Sequence, residues 1–119
     1  MCGRYTNKAK KEEIEQEFAV NINQGVIFEP RYNIAPSQFV PVILEEKGNR
    51  IINQLKWGLI PSWAKDDSFA AKMINARAET LAEKPSFKNA FKSRRCIISA
   101  SGFYEWEKTK TGKQPHYFF

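Results

Sequence analysis

The stretch FVPVILEEKGNRIINQLKW, residues 39–57, decides the fold class of this chain. Its two apolar runs, 39–46 and 49–57, are joined through Lys47 and the turn residues Gly48-Asn49. Short runs rich in β-branched residues on either side of such a turn are typical of an antiparallel β-hairpin. The centre of the chain is therefore predicted to be β-structure.

The segments before and after this hairpin mix helix with strand patterns. Thr6 and Asn7 are N-cap residue types before KAKKEEIEQEF, where Ile14 and Phe18 lie four positions apart, so we predict a short amphipathic helix over 8–19. RYNIAPSQ, at 31–38, is predicted to be extended because Pro36 disfavours helical geometry at the residue before it. The pattern of 69–76 fits a strand or a helix, and we favour a short extended piece.

The C-terminal third predicts one more helix and further strands. Pro85 at a helix start and two phenylalanines four positions apart indicate a helix over 83–93. Residues 95–109 contain two strand-like runs around Ser101-Gly102, and the turn Thr111-Gly112 leads into QPHYFF. The expected fold is α+β, with a mainly antiparallel, curved or barrel-like sheet and two or three short peripheral helices in one domain.

The charge of the chain is concentrated in one segment. The sequence has 119 residues with 19 Lys+Arg, 13 Asp+Glu and a formal net charge of +6. Residues 1–83 carry equal numbers of basic and acidic side chains, so the whole excess lies within 84–113. Such a segment predicts either a polyanionic partner, most simply nucleic acid, or an ordinary solvated basic face. No apolar stretch is long enough to span a membrane, and we expect a cytoplasmic protein, nucleoid-associated if bacterial, without a membrane partner.

Cys2 is the first candidate for chemistry because of its position. Removal of Met1 would leave Cys2 with a free α-amine beside its thiol, which together form a 1,2-aminothiol. An aldehyde reacts with the amine to give a Schiff base, and the thiol then closes a five-membered thiazolidine ring. The alternative is a cysteine without a role. Cys2 and Cys96 are 94 positions apart and lack metal-ligand spacing, so we expect reduced thiols, no metal and no cofactor.

A second set of polar residues lies within apolar segments. Glu105 stands in SGFYEWEK between aromatic residues, whose burial would raise the pKa of a carboxyl group and suit it to acid or base chemistry. Asn75 can hold a carbonyl or hydroxyl group, and Arg77 can clamp a phosphate. Trp63 and Trp106 can stack on unpaired bases. Each also has an ordinary alternative, since Glu105 fits the exposed side of a strand, Asn75 a turn, and the aromatic residues a core.

Six segments together resemble one known family. MCGR, RYNIAP, WGLIPSW, INARAET, RCIISASGFYEW and KQPHYF occur here in the order and approximate spacing of the SOS response-associated peptidase (SRAP) domain, the family of abasic-site processing proteins. The resemblance implies covalent capture of abasic sites in single-stranded DNA. It implies that Cys2 is the nucleophile, that Asn75 positions the deoxyribose and that Glu105 transfers protons. It places Arg4, Arg77 and Trp106 along the DNA.

The chain also departs from the family pattern in length. Members of the family are roughly twice as long, and their second half carries a histidine in an HxRMP-like segment that this sequence lacks; His116 does not match it. We therefore expect residues 1–119 to form the N-terminal portion of the domain, with possible self-association through an incomplete sheet. Two alternatives stay open: an N-terminal-nucleophile glutamine amidotransferase, which also begins MCG, and a non-catalytic module that binds single-stranded DNA.

Overall fold

The fold combines short antiparallel strands with two helices. The computed structural model describes residues 2–20, 22 and 25–119. In chain order, the elements are β1 (Tyr5–Asn7), α1 (Lys11–Phe18), β2 (Arg31–Ile34), β3 (Phe39–Glu46), β4 (Asn49–Lys56), α2 (Pro85–Ser93), β5 (Gly102–Thr109) and β6 (Gly112–Phe118). Single 3-10 turns occur at Asp67–Phe69 and Ala78–Thr80. The predicted α+β class with antiparallel sheets is confirmed.

The predicted central hairpin is confirmed. β3 pairs with β4 from Phe39 opposite Lys56 to Glu46 opposite Asn49. The two loop residues, Lys47 and Gly48, both have positive φ, at 51° and 80°. Two-residue turns of this kind match the natural twist of paired strands. Asn49 is therefore the first residue of β4 rather than part of the turn.

A second sheet holds the N-terminal strand at its centre. Its strand order is β2-β1-β5-β6, and every neighbouring pair is antiparallel. The hairpin β3-β4 forms its own sheet, and one antiparallel bridge joins Ile43 of β3 to Ile97. Over the residues described, these sheets do not close into a barrel. The structure instead has two separate antiparallel sheets in place of the single curved or barrel-like sheet that we expected.

Strand β3 is buried on both of its faces. On one side, Val40 and Val42 pack with Tyr5 and Ile34 of the larger sheet. On the other side, Ile43 and its cross-strand partner Ile52 pack against α1 through Ile14, with Val20 and Ile22 completing the cluster. The hairpin thus lies between the helix and the sheet. This arrangement fixes β1, and with it the segment that carries Cys2.

The two predicted helices are confirmed with shorter bounds. Helix α1 starts at Lys11 rather than after Asn7, because Thr6 and Asn7 belong to β1 and Glu13 caps the helix by accepting a 2.6 Å hydrogen bond from the Lys10 amide. Helix α2 has Pro85 in its first turn, as expected, since a proline there sacrifices no helical hydrogen bond.

Two predicted strand segments are wrong. Residues 69–76 contain no strand: Phe69 ends a 3-10 turn, and Lys72 and Met73 both donate to its carbonyl. The first run of 95–109 makes only the single bridge at Ile97, so the strand begins at Gly102. Neither segment has a neighbouring strand along its length: Ala70 of the first is buried, whereas Ile97 and Ile98 of the second are about half exposed.

Candidate active site

Cys2 lies half-buried at the start of the central strand of the larger sheet. The register that pairs Tyr5 with Phe103 continues to Arg4, whose carbonyl accepts a 2.9 Å hydrogen bond from the Tyr104 amide. The thiol of Cys2 donates to the same carbonyl at 3.6 Å. The backbone of this segment is therefore held by β5. Met1, whose removal would free the α-amine of Cys2, is outside the described residues.

Asn75 contacts Cys2 directly. Its side-chain amide Nδ2 donates a 2.8 Å hydrogen bond to the carbonyl of Cys2. The loop that carries Asn75 is fixed by Trp57, whose indole Nε1 donates 3.0 Å to the carbonyl of Ile74, and by a 3.0 Å bond from the Leu59 amide to Met73. Asn75 is more than a turn residue, because its side chain reaches the candidate nucleophile.

Cys2 and Asn75 line one cavity with largely apolar walls. Its volume is about 360 Å³. Tyr5 and Trp57, which pack edge to face at 5.4 Å, form one part of the wall, and Phe103 contributes from β5. The thiol of Cys2 and the side-chain amide of Asn75 therefore stand among mainly apolar groups.

Glu105 lies on the same face of β5 as Phe103. Residues of a strand alternate between faces, so Phe103 and Glu105 point to the side of the cavity and Trp106 to the other side. Glu105 is half-buried, and the residue opposite it in the strand register of β6 is His116. His116 itself contacts Glu107, with 3.1 Å between Nε2 and Oε2. The carboxylate of Glu105 is thus next to the site without lining its cavity.

The four candidate DNA-binding residues lie at three places around the site. Arg4 and Trp106 lie on the opposite face of the larger sheet, where Arg4 donates 2.9 Å to the Asn33 side chain and Trp106 is 40% exposed. Arg77 is exposed and precedes the turn at Ala78–Thr80, two residues after Asn75. Trp63 is half-exposed and packs edge to face on Phe69 at 5.0 Å, outside the cavity.

The cavity walls include residues that the sequence did not single out as a site. Trp57 was one of three tryptophans with no reason to prefer it, yet it both lines the cavity and holds the Asn75 loop. Ile98 and Ala100 complete the wall from the irregular segment before β5. The only signal for Trp57 was its place in WGLIPSW, next to a glycine.

Burial affects two titratable groups around the core. It raises the pKa of the Tyr5 hydroxyl to about 12, and the nearby Arg31 opposes this shift only in part. Burial also raises the pKa of the Cys96 thiol. Cys96 therefore holds less thiolate at neutral pH than an ordinary cysteine, which makes it a weaker nucleophile.

Neither a membrane helix nor a metal cluster is seen in the part of the chain that the structure describes. Within residues 2–20, 22 and 25–119, no helix has the length and apolarity to cross a bilayer. In the same ranges, no three side chains of His, Cys, Asp or Glu come together as a metal site.

Fold and site define an α+β domain with a half-buried N-terminal cysteine held by an asparagine in an apolar cavity. The family model described as SOS response associated peptidase (SRAP) matches residues 1–119, and the chain belongs to this family. The six-segment resemblance is confirmed.

Relatives of known name and structure agree with this family. The chain is 49% identical over 111 residues to the abasic site processing protein YoqW of Bacillus subtilis, covering 91% of this chain and 49% of YoqW. It is 36% identical over 104 residues to the abasic site processing protein HMCES of Gallus gallus, covering 77% of this chain and 31% of that protein. The chain thus spans about half the length, or less, of these curated relatives.

Solved structures match the fold over nearly the whole chain. A crystal structure of a protein from Bacteroides thetaiotaomicron superposes with a TM-score of 0.80 at 26% identity, covering 98% of this chain and 53% of that one. A phage-related protein from Bordetella bronchiseptica gives 0.75 at 29% identity, covering 98% and 54%.

Proposed function

We propose that this protein recognises abasic sites in single-stranded DNA and links to them covalently through Cys2, which shields the lesion. The observation that carries the proposal is the hydrogen bond from Asn75 to the carbonyl of Cys2 inside an apolar cavity. It is supported by membership of the family and by relatives that are named abasic site processing proteins.

The reaction is a condensation that the two functional groups of Cys2 can complete. After Met1 is removed, the α-amine attacks the aldehyde carbon of the ring-opened deoxyribose, and loss of one water molecule leaves a C=N bond. The thiol sulfur then adds to that carbon while its proton passes to the nitrogen. The product is a thiazolidine ring, and no oxidant or cofactor is consumed.

Asn75 and Glu105 take complementary parts in this proposal. The amide nitrogen of Asn75 is committed to the Cys2 carbonyl, so its Oδ1 is the atom that would accept a hydrogen bond from a deoxyribose hydroxyl. Glu105, on the cavity side of β5, would take the proton of the C1 hydroxyl and return it to the ring oxygen during ring opening. It would later take a proton from the added amine and pass it to the hydroxyl that leaves as water.

The DNA strand is proposed to contact exposed residues both near Asn75 and on the face of the larger sheet opposite the cavity. Arg77 is two positions from Asn75 and would bind a phosphate near the lesion. Trp63 and Trp106 expose enough ring surface to stack on unpaired bases, and Arg4 shares the face of Trp106. Stacking of this kind favours a single strand over a duplex, whose bases are already covered.

The test combines abasic single-stranded DNA with Met1-free protein, followed by a denaturing gel and intact-mass measurement. We expect an adduct with the summed mass less one water, abolished in Cys2→Ala and kept in Cys96→Ala. Cys2→Ser retains the amine, so it should give a Schiff base that survives only after reduction with borohydride. If the intact protein gives no adduct and binds DNA equally with and without the lesion, the non-catalytic binding module is the correct alternative.

Self-association is a second, separate proposal. Strand β6 forms one edge of the larger sheet, and its Phe118 side chain is half-exposed. Open edges of this kind pair with other strands. Light scattering over a range of concentrations should show dimers that Phe118→Lys removes; a monomer at all concentrations would exclude the proposal.

A further inference from the structure

The outward face of helix α2 and the N-cap residue before it carry three lysines at helical spacing. Lys84, Lys88 and Lys92 follow one another every four residues, so they lie along one side of the helix. Phe87 and Ala90 occupy the opposite side and are half-buried. Successive lysines are separated by about 6 Å along the helix axis. The result is a straight ridge of positive charge.

This lysine ridge continues into a basic cleft at the end of the helix. Lys92 and Arg95 line a cleft of about 590 Å³ together with Arg50 of β4. The Arg50 guanidinium is fixed by a 2.8 Å hydrogen bond from Nη1 to the carbonyl of Phe18. Glu45, opposite Arg50 in the hairpin, is the one carboxylate among the residues that line the cleft.

The charges of the ridge and the cleft are not neutralised by neighbours. Over residues 2–20, 22 and 25–119, the ion pairs are Lys11–Glu15, Lys56–Asp67 and His116–Glu107. None of these involves a basic residue of α2 or of the segment after it. Unpaired, exposed cations in a row bind a polyanion by releasing its counterions, whatever its sequence.

We infer that the lysine ridge and the basic cleft form a second, non-covalent DNA-binding surface that holds the phosphate backbone outside the lesion. The basic cleft and the Cys2 cavity share no lining residue. A third cavity, of about 450 Å³, links them: it shares Asn75 and Ile98 with the Cys2 cavity and Arg95 and Cys96 with the basic cleft. A DNA strand with its abasic site at Cys2 therefore has flanking nucleotides within reach of the cleft.

The inference rests on the proposed function for the choice of DNA as the polyanion, and the two can be tested apart. The probe is a long, undamaged thymidine oligonucleotide, which offers no aldehyde to Cys2. Binding is measured by fluorescence anisotropy between roughly 50 and 200 mM salt, where phosphate contacts weaken strongly. Crosslinking of a short abasic oligonucleotide is measured in parallel as a report on the Cys2 site.

The decisive variant is Lys88→Glu/Lys92→Glu/Arg95→Glu. Its matched control is Lys108→Glu/Lys110→Glu/Lys113→Glu, which changes the net charge equally at exposed positions of the β5-β6 hairpin. The first variant should weaken binding of the undamaged strand at least tenfold and lower the salt slope by about two, because each lost contact removes about 0.7. The control should lose less than threefold.

Each outcome decides the matter. Equal losses of affinity in both variants would show a general charge effect and would overturn the inference. An unchanged affinity in the ridge variant would also overturn it, and so would a wild-type protein that does not bind undamaged DNA. Normal crosslinking of the short abasic oligonucleotide by the ridge variant shows that it is folded. If the ridge variant does not crosslink, the milder variant Lys88→Gln/Lys92→Gln replaces it. This variant must lower the salt slope of binding to undamaged DNA for the inference to stand. Absence of crosslinking in the wild type alone would reject the proposed function and leave this surface in place.

Discussion

The Asn75 side chain donates a 2.8 Å hydrogen bond to the main-chain carbonyl of Cys2, across 73 positions of sequence. The bond ties the turn region after β4 to the residue that carries the candidate nucleophile. It holds the backbone of Cys2 and leaves the thiol and the α-amine available. The orientation of the reactive group therefore depends on a residue far from it in sequence.

Removal of this hydrogen bond should slow the chemistry more than it destabilises the fold. We expect Asn75→Ala to cost about 1 kcal/mol of stability, the usual net value of one hydrogen bond. The rate of adduct formation should fall at least about tenfold, because a small misplacement of a reacting group has a large effect on rate. Asn89→Ala, at an exposed position of α2, is the control in single-turnover assays. Equal rates for both variants would contradict the role of Asn75.

Glu105 can be tested against a carboxylate on the same face of the same strand. Glu105→Gln keeps the size of the side chain and removes its acid-base function, so we expect adduct formation about 10²-fold slower with a flattened pH profile. Glu107→Gln, which loses only its contact with His116, should keep the wild-type rate and profile. A similar slowing in both variants would point to the charge of the hairpin instead.

Alkaline pH should destabilise the fold through Tyr5. Burial raises the pKa of its hydroxyl to about 12, above the value of about 10 in an unfolded chain. The neutral hydroxyl is therefore favoured by folding, and this stability is complete below pH 10 and lost as the pH rises from 10 to 12. We expect a loss of about 1–2 kcal/mol over that window, discounted for solvent screening.

Chemical denaturation at pH 8 and pH 11.5 would measure this loss. Tyr5→Phe should remove most of the difference between the two conditions, whereas Tyr32→Phe, at a largely exposed position, should leave it in place. An unchanged pH dependence in Tyr5→Phe would assign the alkaline transition to another group.

Gly102 is a packing constraint in the centre of the larger sheet. A Cβ atom at this position would overlap the carbonyl of Phe118 and the hydroxyl of Tyr117 on β6. We expect Gly102→Ala to lower the free energy of unfolding by about 1–3 kcal/mol, the usual cost of overpacking. Gly3→Ala, where a Cβ would meet nothing within 4 Å, should change stability by less than about 0.5 kcal/mol. Thermal melts that show equal stability for both variants would disprove this packing.

The elements that the sequence predicts well are those with local causes. The β3-β4 hairpin follows from its turn, and the start of α2 follows from Pro85. The segment 69–76 could not be predicted in this way, because its path depends on a long-range hydrogen bond from the Leu59 amide to the carbonyl of Met73. Residues 95–100 failed as a strand for a similar reason, since only Ile97 meets a partner.

The candidate site was predictable in its residue types and not in its geometry. The chemistry proposed for Cys2 comes from its place in the sequence, and the sequence indicates Asn75 as a group that can hold a carbonyl. That the carbonyl it holds belongs to Cys2 is a tertiary fact. Trp57 was missed as a site residue for the same reason, because its contact with the Ile74 carbonyl joins two segments that no local pattern connects.

The central place of β1 in its sheet also sets an order of events during synthesis. Tyr5 is made among the first residues, but its partner Phe103 is made almost a hundred residues later. Contacts so distant in sequence form slowly, because the chain must close a long loop before it gains them. Cys2 therefore leaves the ribosome long before its cavity can exist. A cavity that is assembled only by the finished sheet does not exist until the protein has folded, so the geometry around Cys2 is a late product of folding.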